Sequence, residues 1–102
     1  MSSISAPNTS LGIGQSWLDM SGQRAANTTY QNTSYRPIEV SIVSANAYPD
    51  RYIQVSADGV SWINLKAGAG ASERIEHQFT VPPGHYYRTS ADMTIAGWAE
   101  LR

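Results

Sequence analysis

Apolar and polar side chains trade places every second residue along much of this chain. The cleanest alternation covers 38–44, where Ile38, Val40 and Ile42 are separated by Glu39 and Ser41. That period sends one row of side chains into a core and the other into water, the pattern of a half-buried strand. Pro37 stands just ahead of it, where a missing N–H costs least, and it biases Arg36 towards an extended conformation. The run is expected to be central to a sheet. A second alternation over 73–81 sets Ile75, His77, Phe79 and Val81 against Glu76, Gln78 and Thr80. Shorter strands are expected around Trp17, with Trp17 and Asp19 facing one way and Leu18 and Met20 the other. Others fall at 24–32 (Ala26, Thr28 and Tyr30 on one face), 51–56 (Ile53 and Val55 inward), 60–65, 85–89 and 93–101. In the last, the central Gly97 and the β-branched pair Thr94-Ile95 favour a strand over a helix.

The punctuation between these runs agrees. Asp58-Gly59 is the strongest hairpin signal, suited to a type I′ turn whose two central residues need positive φ. Pro82-Pro83-Gly84 has proline and glycine in the order of a type II turn. Ser21-Gly22, the loop around Tyr48 and the Ala/Gly-rich 67–72 supply further breaks. On 60–65, Ser61, Ile63 and Leu65 share one face and Val60, Trp62 and Asn64 the other. Both faces carry apolar groups, so one of them is expected to meet a partner subunit. Many short strands with no helical period imply an all-β fold. The expected architecture is a single antiparallel β-sandwich, jelly-roll-like or similar, over 11–102, preceded by a small polar arm or leader at 1–10.

Composition narrows the function more than the fold. Among 102 residues only 15% are charged and the formal net charge is -1, whereas an electrostatic nucleic-acid binder needs a basic excess. Neither nucleic acid nor an anionic membrane is an expected partner, and no apolar run nears the roughly 20 residues of a membrane helix. The chain has no cysteine, hence neither a disulfide framework nor a thiolate zinc site. The start of the sequence lacks the pattern of a signal peptide, so synthesis in a cytoplasm with a start at or near Met1 is expected.

No chemistry-bearing constellation emerges. Gly12 and Gly14 lack the third glycine and following helix of a dinucleotide loop, and no nucleophile elbow is present. His77 lies on an apolar strand face and His85 follows a turn, without close metal-ligand spacing. The eight carboxylates are scattered. No enzyme, metal or cofactor is expected. The aromatics are more telling: three Trp and six Tyr against one Phe favour residues that join apolar area to a polar handle, as at interfaces. Tyr35, Tyr48, Tyr86 and Tyr87 are the candidates for ligand or host-surface contact, with a surface glycan stacked on their rings. Trp17, Trp62, Trp98 and Phe79 are the candidate core or subunit-interface anchors. Arg24, Arg36, Arg51, Arg74 and Arg88, set against the single Lys66, also suit protein interfaces.

Several short motifs, in order, resemble a known module. Gly12-Ile-Gly-Gln-Ser-Trp17, Arg24-Ala-Ala-Asn-Thr-Thr-Tyr30, Asn32-Thr33 and Arg36-Pro-Ile-Glu-Val-Ser41 resemble its opening. The pattern around Val55 to Val60, the Val81-Pro-Pro-Gly-His-Tyr86 turn and the closing Trp98-Ala-Glu-Leu-Arg102 continue the likeness. The module is the C-terminal tip of phage and prophage tail fibres, and the resemblance covers roughly 11–102. It implies a β-rich, usually trimeric tip that serves host-surface attachment and carries no catalytic residue. In such fibres the tip follows a long stalk, whereas this sequence starts ten residues upstream, so a separate small virion protein, made in the bacterial host cytoplasm, is expected. Expected partners are a homotrimer of itself, other virion proteins and a host glycan. A capsid decoration or cementing protein docked through its N-terminal arm is the alternative, and a cellular carbohydrate-binding module a weaker one.

Overall fold

The computed structural model describes residues 10–46, 52–67, 76–91 and 93–102. Among them are eight strands and no helix: β1 (Trp17–Asp19), β2 (Tyr30–Gln31), β3 (Ile38–Asn46), β4 (Tyr52–Ser56), β5 (Ile63–Ala67), β6 (Glu76–Val81), β7 (Tyr86–Thr89) and β8 (Thr94–Leu101). They form two four-stranded antiparallel sheets, ordered β1-β8-β3-β6 and β2-β7-β4-β5. The pairings explain this order. First pairs with eighth, second with seventh, third with sixth and fourth with fifth. The chain therefore runs as one long hairpin that is rolled up, and the roll adds the β3·β8 and β4·β7 contacts. A double-sheet antiparallel domain with this wrapping is a jelly roll.

The alternation in β3 does what its sequence implies. Ile38, Val40 and Ile42 are fully buried, and β3 lies between β8 and β6. From β6, Phe79 and Val81 register with Val40 and Ile38. From β8 comes Trp98, and from the second sheet Ile53 and Tyr87, with Met93 at one end. Truncating one of the buried aliphatics, such as Ile42→Ala, would forfeit about 2–5 kcal/mol. The register of β3 with β8 shifts on either side of Ser44, as bulges do where a strand must bend.

Two local expectations are corrected and a third is met. The strand expected over 24–32 shrinks to Tyr30–Gln31. Asn27 takes a left-handed φ of 58°, and Arg24 turns inward to a carboxylate described below, so the preceding residues form a loop. The Asp58-Gly59 hairpin exists as the β4–β5 pair, but not through a type I′ turn. Gly59 has φ 79°, while Asp58 is not among the positive-φ residues. The Asp58 carboxylate instead accepts from the N–H groups of Val60 (2.8 Å) and Ser61 (2.9 Å), and the Ser56 hydroxyl accepts from Gly59 N–H at 2.8 Å. This wider loop delays the strand from residue 60 to Ile63. The Pro82-Pro83-Gly84 turn matches its expectation: His85 N–H bonds the Pro82 carbonyl at 3.1 Å and Gly84 has φ 81°, the positive φ that a type II turn requires at that position.

Candidate functional site

The most concentrated chemistry lies inside the sandwich. Trp98 and Glu100 share the inward side of β8, and Glu100 is fully buried. Its carboxylate accepts from Arg24 Nε (2.9 Å) and Nη2 (3.1 Å), from the Tyr87 hydroxyl (2.8 Å) and from Trp98 Nε1 (3.0 Å). Arg102 Nε adds an ion pair at 2.9 Å. Arg24 also lies 4.6 Å over the Tyr30 ring, and Tyr30 meets Trp98 edge-on at 5.8 Å. One carboxylate thus ties the first sheet, the second sheet and the β1–β2 loop together. Burial pushes the Glu100 carboxyl up, but the hydrogen bonds from Arg24, Tyr87 and Trp98 and the Arg24 charge outweigh it, and its pKa lies below the ordinary glutamate value. Burial, then the adjacent Glu100 charge, pushes the Tyr87 phenol up to about 12. Burial would lower the Arg24 pKa, but Glu100 raises it further and the guanidinium stays charged. With its donors matched, the carboxylate is a clamp for the fold.

The expected contact tyrosines separate. Tyr87 is corrected: strand alternation turns it inward, it is fully buried with its hydroxyl on Glu100, and it cannot touch a surface ligand. Tyr86 points the other way, half-buried on the outer face of the second sheet. Tyr35 is 81% exposed in the β2–β3 bend. Tyr48 lies outside the described residues. Of the anchors, Trp98 and Phe79 belong to the core. Trp17 does not: it is 49% exposed on the edge strand β1, beside Leu18 at 45%. Trp62 lies against the outer face of the second sheet under Arg88.

Sequence reasoning missed both Glu100, read as one scattered carboxylate among several, and the outer-face set that surrounds Tyr86. The inward parity that Glu100 shares with Trp98 was the available signal. His77 stacks on Phe79 at 6.0 Å. Among the described residues no set of side chains is arranged to hold a metal ion, and no pocket opens. What those residues offer a partner is open surface: the apolar edges at β1 and β5, and the outer face of the second sheet.

The fold places the chain among double-sheet antiparallel sandwiches, and the wrapping makes it a jelly roll in particular. Compared with known proteins, the chain matches no family model, no curated protein and no solved structure.

Proposed function

We propose that this protein is a non-enzymatic bacteriophage virion protein, similar to a tail-fibre tip, that self-associates and presents its jelly roll for host-surface attachment. The observation that carries the self-association is the apolar surface left on two edge strands. On β1, Trp17 and Leu18 are half exposed; Ile63 of β5 is 64% exposed and Val60, just before it, 80%. An edge strand of this kind is ordinarily blunted with charge or proline, and exposed apolar groups in a row mark an interface. The two edges belong to different sheets. A contact of β1 on β5 of the next copy is heterologous and can close into a ring such as a trimer. The motif resemblance given above supports the virion role, and jelly rolls serve in viral shells and lectins alike, a fold-level analogy. The capsid-decoration alternative would use the N-terminal arm. Next to it, Arg36 Nη2 holds the Ser10 carbonyl at 3.2 Å and Gln15 Nε2 the Pro37 carbonyl at 2.9 Å, which fixes where the chain enters the domain.

Light scattering at micromolar concentration tests the assembly: a multiple of 11.1 kDa is expected, and Trp17→Ser or Ile63→Ser should weaken it by about tenfold or more, the effect of removing an interface anchor. A single-chain mass for the wild type refutes it. Antibody labelling of virions tests the location, and label on the head would favour the decoration reading.

A further inference from the structure

The outer face of the second sheet carries side chains that order one another at a water-exposed surface. Alternation puts Tyr86 and Arg88 of β7 on this face, with Gln54 of β4 and Asn64 of β5 in register beside Arg88. Trp62, two residues before Asn64, lies on the same side. The Arg88 guanidinium carbon sits 3.8 Å over the Trp62 ring, its Nε donates to Gln54 Oε1 at 2.8 Å, and Gln54 Nε2 donates to Asn64 Oδ1 at 2.8 Å. At the other end, the Ser56 hydroxyl draws the loop in so that Gly59 lies under Tyr86. A Cβ at Gly59 would stand 3.4 Å from that ring. In the neighbouring row Tyr86 registers with the small and buried Ser56. Tyr86 borders the polar side chains of Gln54, Asn64 and Arg88, and Trp62 forms the floor under Arg88.

The chemistry of this face selects among partners. A protein partner would favour an apolar centre, which the edges have, whereas the centre of this face is the polar Gln54, Ser56 and Asn64. A nucleic acid would need a basic excess, and Arg88 is accompanied here by neutral amides. A pyranose ring fits both parts: its C–H face stacks on an aromatic ring, and its hydroxyls donate and accept at once. Gln54 and Asn64 each offer a donor and an acceptor, and the Arg88 fork offers further donors. Because Arg88 and the two amides already hold each other in place, binding would freeze few rotamers, which is where affinity for a flexible glycan is otherwise lost.

We infer that the outer face of the second sheet is an oligosaccharide-binding site, with the Tyr86 ring stacking on a sugar and Gln54, Asn64 and Arg88, the last seated on Trp62, holding the hydroxyls; this rests on the attachment reading above and names its ligand class. The test is an array of neutral gluco- and galacto-configured oligosaccharides together with uronate- and sialate-ended ones. The wild type is expected to bind at least one set, and the set bound distinguishes a neutral from an acidic glycan. Tyr86→Ala, at a half-buried outer position, and Asn64→Ala, at an exposed one, should each lower binding by tenfold or more without altering the circular dichroism. Amide shifts on titration of a bound array member should centre on Gln54, Asn64, Tyr86 and Arg88. Silence of the whole array, binding unchanged by both variants, or shifts confined to the β1 edge would overturn the site. Adsorption of virions separates this from the parent reading. If adsorption needs the protein but tolerates both variants, attachment stands and the site falls. If both variants abolish array binding while adsorption is unaffected, the site stands and the attachment reading falls.

Discussion

Glu100→Ala should be among the most damaging single changes in this domain. The alanine leaves the Tyr87 hydroxyl and Trp98 Nε1 facing an interior without their acceptor, at about 1–3 kcal/mol for each stranded donor. Arg24 and Arg102 recover part of their loss, because their side chains are 14% and 32% exposed and water can reach them. The total comes to about 3–5 kcal/mol, the range seen when one partner of a buried ion pair is removed. A domain of this size has on the order of 5–15 kcal/mol in all, so the variant loses about a fifth of it or more, with a midpoint lower by roughly 15–25 °C. Glu100→Gln keeps the shape and one acceptor oxygen, and should fall between. Urea unfolding followed by tryptophan fluorescence measures this, repeated at two protein concentrations because self-association shifts the midpoint.

The same carboxylate sets an acid limb. Its folded pKa lies below the unfolded value, so in falling pH the unfolded chain takes up the proton first. The stability it contributes is complete above the ordinary glutamate range, near pH 4.3, and is lost as pH falls through the lowered folded value. Glu100→Gln should flatten that limb in part. Asp19 and Asp58, lowered chiefly by the N–H groups of Ser21 and Ser61 respectively, keep the remainder. A loss below about 1 kcal/mol for Glu100→Ala, within the ordinary run of point changes, would refute the clamp.

Tyr87→Phe should remove about 1 kcal/mol and abolish a late phenolate absorbance step near pH 12. Because that pKa is raised, its contribution is complete below about pH 10 and is lost as pH climbs through about 12, so the variant's alkaline unfolding limb should be shallower there. Gly59→Ala combines a φ of 79° with a Cβ 3.4 Å from the Tyr86 ring. It should lower stability by about 1 kcal/mol in urea melts and displace the Tyr86 ring resonances, and unchanged values in both would dismiss the close approach.

How much of this was legible in sequence depends on the range of the interaction. Ile38, Val40, Ile42, Phe79 and Val81 announced themselves through period two, because a strand's facing is set by its own residues. The Pro83-Gly84 turn was legible for the same reason. Asp58-Gly59 misled in detail: Asn and Asp favour left-handed turn positions, yet they also bond nearby N–H groups, and here Ser56 and the Asp58 carboxylate chose the wider loop. The stretch 24–29 alternated enough to suggest a strand, but the pull on Arg24 comes from Glu100, which is 76 residues away. Tyr87 shows the limit most plainly. Its neighbour Tyr86 has the same side chain, and only the register of β7 against β4 decides which of the two is buried.

That register links the inner clamp to the outer face. In β7 the order Tyr86, Tyr87, Arg88, Thr89 sends two residues outward and two inward, and a slip of one residue would exchange every pair. Tyr86 could stand in for Tyr87 in the core, but Arg88 would then replace Thr89, leaving a charge buried opposite Ile53. The slipped pairing is therefore excluded by Arg88, and the native one is secured by the Tyr87 hydroxyl on Glu100. The clamp thereby fixes which side of β7 meets solvent, so the positions of Tyr86 and Arg88 on the outer face follow from a carboxylate on the opposite side of the sheet.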